Sequence, residues 1–141
     1  MAKITKKQLI DLLNRDLGLE YTAMVQYTQH QGTLKGAMYQ SIQKELIIHA
    51  QEELAHATIL AAQIDYLGGV PTAVMPPAKT SRDSVKMLKQ DLEGENDAIA
   101  RYITRIRQAE DLDLYHLAQQ LRNILAMEQE HAMDLEQALG K

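Results

Sequence analysis

Apolar positions along the chain recur at helical spacing in four long blocks. In the first, Leu9, Leu12, Leu13, Leu17, Met24 and Tyr27 share one stripe with Asp16 and Glu20, and the spacing predicts a helix over about residues 6–32. Thr5-Lys6-Lys7-Gln8 supplies a capping box at its start. After a turn from Gly32 to Gly36, Ile42, Leu46, Leu60 and Leu67 align with Glu45, His49, Glu53 and His56 and predict a second helix over 37–67, stopped by Gly68-Gly69. Two further blocks predict helices over about 81–109 and 113–139. Pro71, Pro76 and Pro77 all fall between the second and third blocks, so residues 68–80 cannot be helical throughout.

Short connections within the first and last pairs imply two antiparallel hairpins. The middle linker reaches roughly 40 Å when extended, about one helix length. It can cross the whole bundle and let the second and third helices run parallel. The pattern therefore predicts one all-α domain over 1–141, a four-helix bundle with one long crossover.

The halves repeat. Asp16-Leu17-x-x-Glu20-x-x-Ala23-x-x-x-Tyr27 returns 75 residues later as Asp91-Leu92-x-x-Glu95-x-x-Ala98-x-x-x-Tyr102, and Glu53-x-x-His56-Ala57 returns at the same offset as Glu128-x-x-His131-Ala132. A pseudo-two-fold axis is the natural consequence. Glu and His three apart share one helix face, so each Glu-x-x-His can grip one ion, and Glu20 and Glu95 extend the set from the other two helices. One such hit would mean little; two hits, each preceded by a Glu at the same 33-residue distance, are hard to obtain by chance.

All six side chains lie on apolar stripes, so four carboxylates enter the interior together. Unneutralised, they would repel and be badly desolvated. Two divalent cations balance them, which favours a dinuclear site over a single zinc. A carboxylate-rich set with two imidazoles suits iron or manganese.

Other residues have weaker claims. Tyr27 and Tyr102 lie two turns beyond Glu20 and Glu95, placed either to assist the carboxylates and oxygen chemistry or to pack with a satisfied hydroxyl. Asp16 and Asp91, one turn before those Glu residues, are placed to accept the free N–H of the candidate ligand histidines. His49 aligns with the site as an auxiliary ligand or a core histidine. Glu45 further along reads as a solvated or bundle-end residue. His30 and His116 read as surface residues.

Composition narrows the function. A formal charge of −4 and a pI near 5.7 argue against nucleic acid as a main partner, and Lys3, Lys6 and Lys7 read as a solvated helix start. With no cysteine, disulfides, thiolate zinc and iron–sulfur clusters are excluded, and a reducing cytoplasm fits. No run has the length of a membrane span and no secretory signal is seen, so a soluble, unprocessed protein is expected.

At these residues the chain resembles the ferritin-like di-iron carboxylate proteins over nearly its whole length, with spacing nearest to bacterioferritins and small ferritins. The resemblance implies Glu20 and His56 as terminal ligands of one iron, Glu95 and His131 as terminal ligands of the other, and Glu53 and Glu128 as bridges. It implies a ferroxidase that oxidises Fe(II) with O2 or H2O2 to a diferric product, for iron detoxification and storage. Leu54 stands where bacterioferritins carry a haem-ligating Met, so haem of that kind is not expected. The chain ends ten residues past His131, without the short fifth helix of larger ferritins, which favours a homo-oligomer of twelve subunits or fewer. Two alternatives remain at this stage: a di-iron or di-manganese peroxidase or catalase-like protein, and a metal-stabilised structural bundle.

Overall fold

The computed structural model describes residues 3–141; positions 1 and 2 lie outside the described residues. Four long α-helices follow one another, α1 (Lys6–Thr33), α2 (Gln40–Tyr66), α3 (Ser84–Asp111) and α4 (Tyr115–Ala138), and a single 3-10 turn at Ala37–Tyr39 leads into α2. Among the described residues there is no strand, and no helix is long and apolar enough to cross a membrane.

Each boundary has a local cause. Thr5 caps α1 by accepting from the Gln8 backbone N–H, and the Gln8 side chain accepts from the Thr5 N–H. α2 ends in a Schellman-type turn, with Gly69 N–H donating to Ile64 O and Gly68 N–H to Asp65 O; Gly68 takes the left-handed φ of 95°. α3 begins at Ser84, three residues later than the periodicity predicts, because Asp83 is extended and acts as its N-terminal boundary residue. The α3–α4 turn passes through Asp113 at φ 59°, a conformation Asp tolerates better than most residues.

The crossover, residues 67–83, lies along α1. Asn14 receives Thr72 N–H at 2.8 Å and donates to Val70 O at 3.0 Å; Tyr21 donates to Thr72 O and Thr22 to Pro76 O. Gln26 then accepts from Lys79 N–H at 2.8 Å, and Ser84 bonds both backbone groups of Lys35 at the far end of α1. These anchors carry the chain from one end of the bundle to the other. α2 and α3 consequently run parallel, α1 packs antiparallel on α2 and on α3, and α4 packs antiparallel on α3 and on α2.

Two apolar clusters fill the interior. One gathers Leu9, Leu13 and Leu17 with Leu60, Ile64, Tyr102, Ile106, Leu117, Leu121 and Ile124; the other gathers Tyr27, Leu34, Ile42, Leu46, Met87, Leu88 and Leu135. A fully buried Leu or Ile contributes about 1.5–3 kcal/mol, so both ends of the bundle are strongly held. In all four helices the Glu and Glu-x-x-His positions fall between these clusters. The apolar ends fix the polar middle.

Candidate metal centre

Glu20 of α1, Glu53 and His56 of α2, Glu95 of α3, and Glu128 and His131 of α4 converge, each 5% exposed or less. They form two overlapping sets. In one, donor atoms of Glu20, Glu53, His56 and Glu128 all lie within 4.8 Å of each other; in the other, those of Glu53, Glu95, Glu128 and His131 do. Glu53 and Glu128 belong to both.

The donor atoms are poorly matched to one another without a cation. His56 Nδ1 lies 2.9 Å from Glu53 Oε1, 3.3 Å from Glu128 Oε1 and 3.6 Å from Glu20 Oε2, yet no direction is right for a hydrogen bond, so the nitrogen is left without a partner. Glu20 Oε2, Glu53 Oε1 and both Glu128 oxygens are also buried and unpartnered. Buried native polar groups are nearly always satisfied. Five inward-facing orphans around one point therefore fit a cation-binding centre. His131 Nδ1 lies 3.0 Å from Glu95 Oε2, with the Glu53 and Glu128 oxygens at 3.7 and 3.5 Å.

The electrostatics point the same way. Burial, then the charges of Glu128, Glu20 and Glu95, raises the Glu53 carboxyl well above its ordinary range, and burial with the Glu128 charge lifts Glu95 to about 8. Burial also opposes charge on Glu128, but the close approach of His56 and Glu53 holds it below the ordinary value. Burial likewise opposes charge on His56, yet the Glu128 and Glu20 carboxylates push it up to about 10. Protons thus stand in for positive charge that the carboxylates require.

The tyrosines behave differently from one another. Tyr102 donates to Glu20 Oε1 at 2.5 Å, whereas the buried Tyr27 hydroxyl has no partner and its ring meets His49 and His131 edge-on. His49 is buried, stacks on His131 with centroids 3.9 Å apart, and bonds Asp134 rather than joining either set.

Three expectations need correction. Asp16 and Asp91 do not reach the site histidines. Asp16 accepts from Arg105 at 2.6 Å and Arg101 at 2.7 Å, while Asp91 accepts from Gln26 and lies 2.9 Å from His30 Nδ1. The reason is direction: both Asp residues face the α1–α3 seam, while the site histidines stand on α2 and α4. His30 is accordingly buried, not a surface residue, with its Nε2 2.9 Å from Lys79 O. Glu45, read as a solvated or bundle-end residue, lies in the second turn of α2 and is half-buried beside His49 and Asp134. His116 is exposed.

The same repeat contains a signal for the missed partners, since its 75-residue offset carries Gln26 onto Arg101 and His30 onto Arg105. Asp16 and Asp91 therefore make equivalent pairs across the pseudo-two-fold. Glu52, whose Oε1 lies 3.3 Å from His131 Nε2, was also missed and has no such signal, because its counterpart is Met127. Access comes from the α1–α3 side, where a cavity of about 80 Å³ runs from Gly94 and Asp97 inward to Glu20, Glu53, Glu95 and Glu128.

A four-helix bundle with one crossover and a buried carboxylate–histidine centre defines the ferritin-like class. Residues 10–141 match the family model for the ferritin-like domain, and the chain belongs to that family. It is 31% identical over 133 residues to a bacterioferritin of Brucella melitensis, covering 94% of this chain and 83% of that protein. A bacterial ferritin of Paramagnetospirillum magnetotacticum is 32% identical over 138 residues, covering 96% and 84%. Among solved structures, a ferritin-like diiron-carboxylate protein from Bacillus anthracis superposes with a TM-score of 0.92 at 32% identity, covering 96% of this chain and 97% of that one. A dodecameric thioferritin, the bacterioferritin-related protein from Bacteroides fragilis, gives 0.88 at 35% identity, covering 97% and 87%.

Proposed function

We propose that this chain is a di-iron ferroxidase that oxidises Fe(II) with O2 or H2O2, serving iron detoxification and storage. One observation carries the reading most directly: Glu53 and Glu128 belong to both four-residue sets and their inward oxygens lack partners. In this reading Glu20 with His56 holds one Fe(II), Glu95 with His131 holds the other, and Glu53 and Glu128 lie between them. Four carboxylates balance two divalent ions. Iron is favoured over manganese by the ferritin and diiron relatives, while the ligand set alone accepts either.

Each Fe(II) supplies one electron, so the pair reduces one O2 to the peroxide level or one H2O2 to water. The chain contributes placement and charge. The carboxylates stabilise the rise in positive charge as the irons oxidise, the Tyr102 hydroxyl holds Glu20 by its Oε1, and the two apolar clusters exclude bulk water. The cavity between α1 and α3 admits Fe(II) and oxidant. Leu54 offers no sulfur ligand, so haem of the bacterioferritin kind has no part in the reading. A twelve-subunit cage is the assembly the Bacteroides fragilis relative supports.

The test is to add excess Fe(II) in air to metal-free protein, pass it through a sizing column and count iron per chain. Tens of irons or more on a large assembly indicate a storing cage, and about two per chain on a small species an oxidase without a store. No bound iron overturns the reading. Glu53→Gln is expected to slow Fe(II) oxidation by about 100-fold or more, because even partners behind a ligand change affinity or activity by 10–100-fold.

A further inference from the structure

The repeat matches the six candidate ligands in pairs, but it does not match what stands behind them. His131 Nδ1 faces the Glu95, Glu53 and Glu128 oxygens, and its other nitrogen, Nε2, lies 3.3 Å from Glu52 Oε1. An ionised carboxylate only accepts, so Glu52 keeps a proton on Nε2 and leaves the Nδ1 lone pair for an ion. His49 stacks on the same ring with centroids 3.9 Å apart. The imidazole is thus oriented from its outer edge and from one face.

His56 has neither support. Its ion-pair contacts are all made by Nδ1, toward the centre. The 75-residue offset sets Met127 in the place of Glu52 and Ile124 in the place of His49. A thioether is a weak acceptor, and isoleucine offers no ring to stack.

The terminal carboxylates differ in the same sense. Tyr102 donates to Glu20 Oε1, so the Glu20 charge is shared with a hydroxyl, whereas the equivalent Tyr27 hydroxyl bonds nothing. A carboxylate that already accepts a strong hydrogen bond gives less electron density to an ion, and an imidazole that donates to a carboxylate gives more. Both effects favour Glu95 with His131 over Glu20 with His56.

We propose that the two halves of the centre bind divalent ions with unequal strength, and that Glu52 is the positioning residue that, through His131, makes the Glu95–His131 half the tight one. The proposal rests on the dinuclear reading. Fe(II) then loads in order: the first ion settles at Glu95 and His131, and the second completes the pair at Glu20 and His56. Oxidation waits on that second, weaker step.

Co(II), which avoids oxidation in air, is the probe. Calorimetric titration of the metal-free protein is expected to show two steps whose affinities differ by about 10-fold or more. In Glu52→Gln the Glu95–His131 step should weaken by about 10–100-fold while the other keeps its value. Gln keeps the shape of Glu, and helix content by circular dichroism checks the fold. Crystals of the unaltered chain grown with one equivalent of Co(II) should show the stronger anomalous-scattering peak beside Glu95 and His131. Two equal steps, a stronger peak beside Glu20 and His56, or a Glu52→Gln variant that weakens both steps alike or neither overturns the inequality and leaves the dinuclear reading intact. Fewer than two Co(II) per chain overturns the dinuclear reading and the inequality with it.

Discussion

Glu20 and Glu95 are related by the repeat, yet their surroundings differ. Glu20 is held by the Tyr102 hydroxyl, whereas the corresponding Tyr27 hydroxyl bonds nothing. Removing a hydroxyl that satisfies a buried carboxylate leaves an unpaired acceptor, a cost of about 1–3 kcal/mol. Tyr102→Phe should therefore lower the unfolding free energy of the metal-free protein by that amount, and Tyr27→Phe should leave it unchanged or slightly higher. Urea unfolding of both variants checks the contrast, and equal losses would refute it. The candidate ligands themselves were legible residue by residue because a Glu-x-x-His occurs twice with a Glu at the same distance before each. The tyrosine asymmetry was not legible: Tyr27 and Tyr102 hold equivalent places in the repeat, and the repeat does not say what each hydroxyl meets.

The helices owe their arrangement to the seam between α1 and α3 as much as to their apolar stripes. Asp16 is fully buried against Arg105, a pair whose disruption strands a buried charge and costs about 3–5 kcal/mol. Asp91 faces His30 and Gln26. Asp16→Ala is expected to destabilise by about 3–5 kcal/mol and Asp91→Asn by about 1–2 kcal/mol, read from denaturant midpoints at constant slope. The crossover leaves its own mark on α1. A Cβ at Gly18 would stand 2.9 Å from Val74 O, so Gly18→Ala should destabilise, although alanine ordinarily improves a helix. Gly94 has open space around it, and Gly94→Ala should stabilise by about 0.5–1 kcal/mol. Thermal unfolding of the two variants should shift in opposite directions. The long linker with its three prolines announced a crossover; which face of α1 it follows depended on hydrogen bonds to Asn14, Tyr21, Thr22 and Gln26 that no local pattern encodes.

For the molecule as a whole, the buried centre ties stability to pH. The folded metal-free protein holds Glu95 at about 8 against an ordinary 4.5, and His56 at about 10 against 6.5. Both shifts mean that the folded state binds more protons than the unfolded chain. Stability is thus lost as pH rises, from about 4.5 to about 8 through Glu95 and from about 6.5 to about 10 through His56. His49, pushed down to about 4, acts in the opposite sense and costs stability as pH falls below 6.5. The melting temperature of the metal-free protein should therefore fall steadily between pH 6.5 and 9. Bound Co(II) should flatten that dependence, because the cation replaces the protons and its binding releases them. A metal-free melting temperature that rises across this range would contradict the account.

The sequence by itself determined four helices, their pairing into two repeated hairpins, the long crossover and the convergence of six carboxylate and imidazole residues on one level of the bundle. It did so because helical periodicity and duplication are properties of spacing, which survive without knowledge of contacts. Tertiary structure decided what each polar side chain meets. Asp16 and Asp91 turned to the α1–α3 seam, His30 became a buried anchor for the crossover, and Glu45, His49 and Asp134 came together from two helices 85 residues apart at the His49–Asp134 contact. Side-chain direction and the approach of a second helix set those encounters, and neither is a function of position along the chain alone.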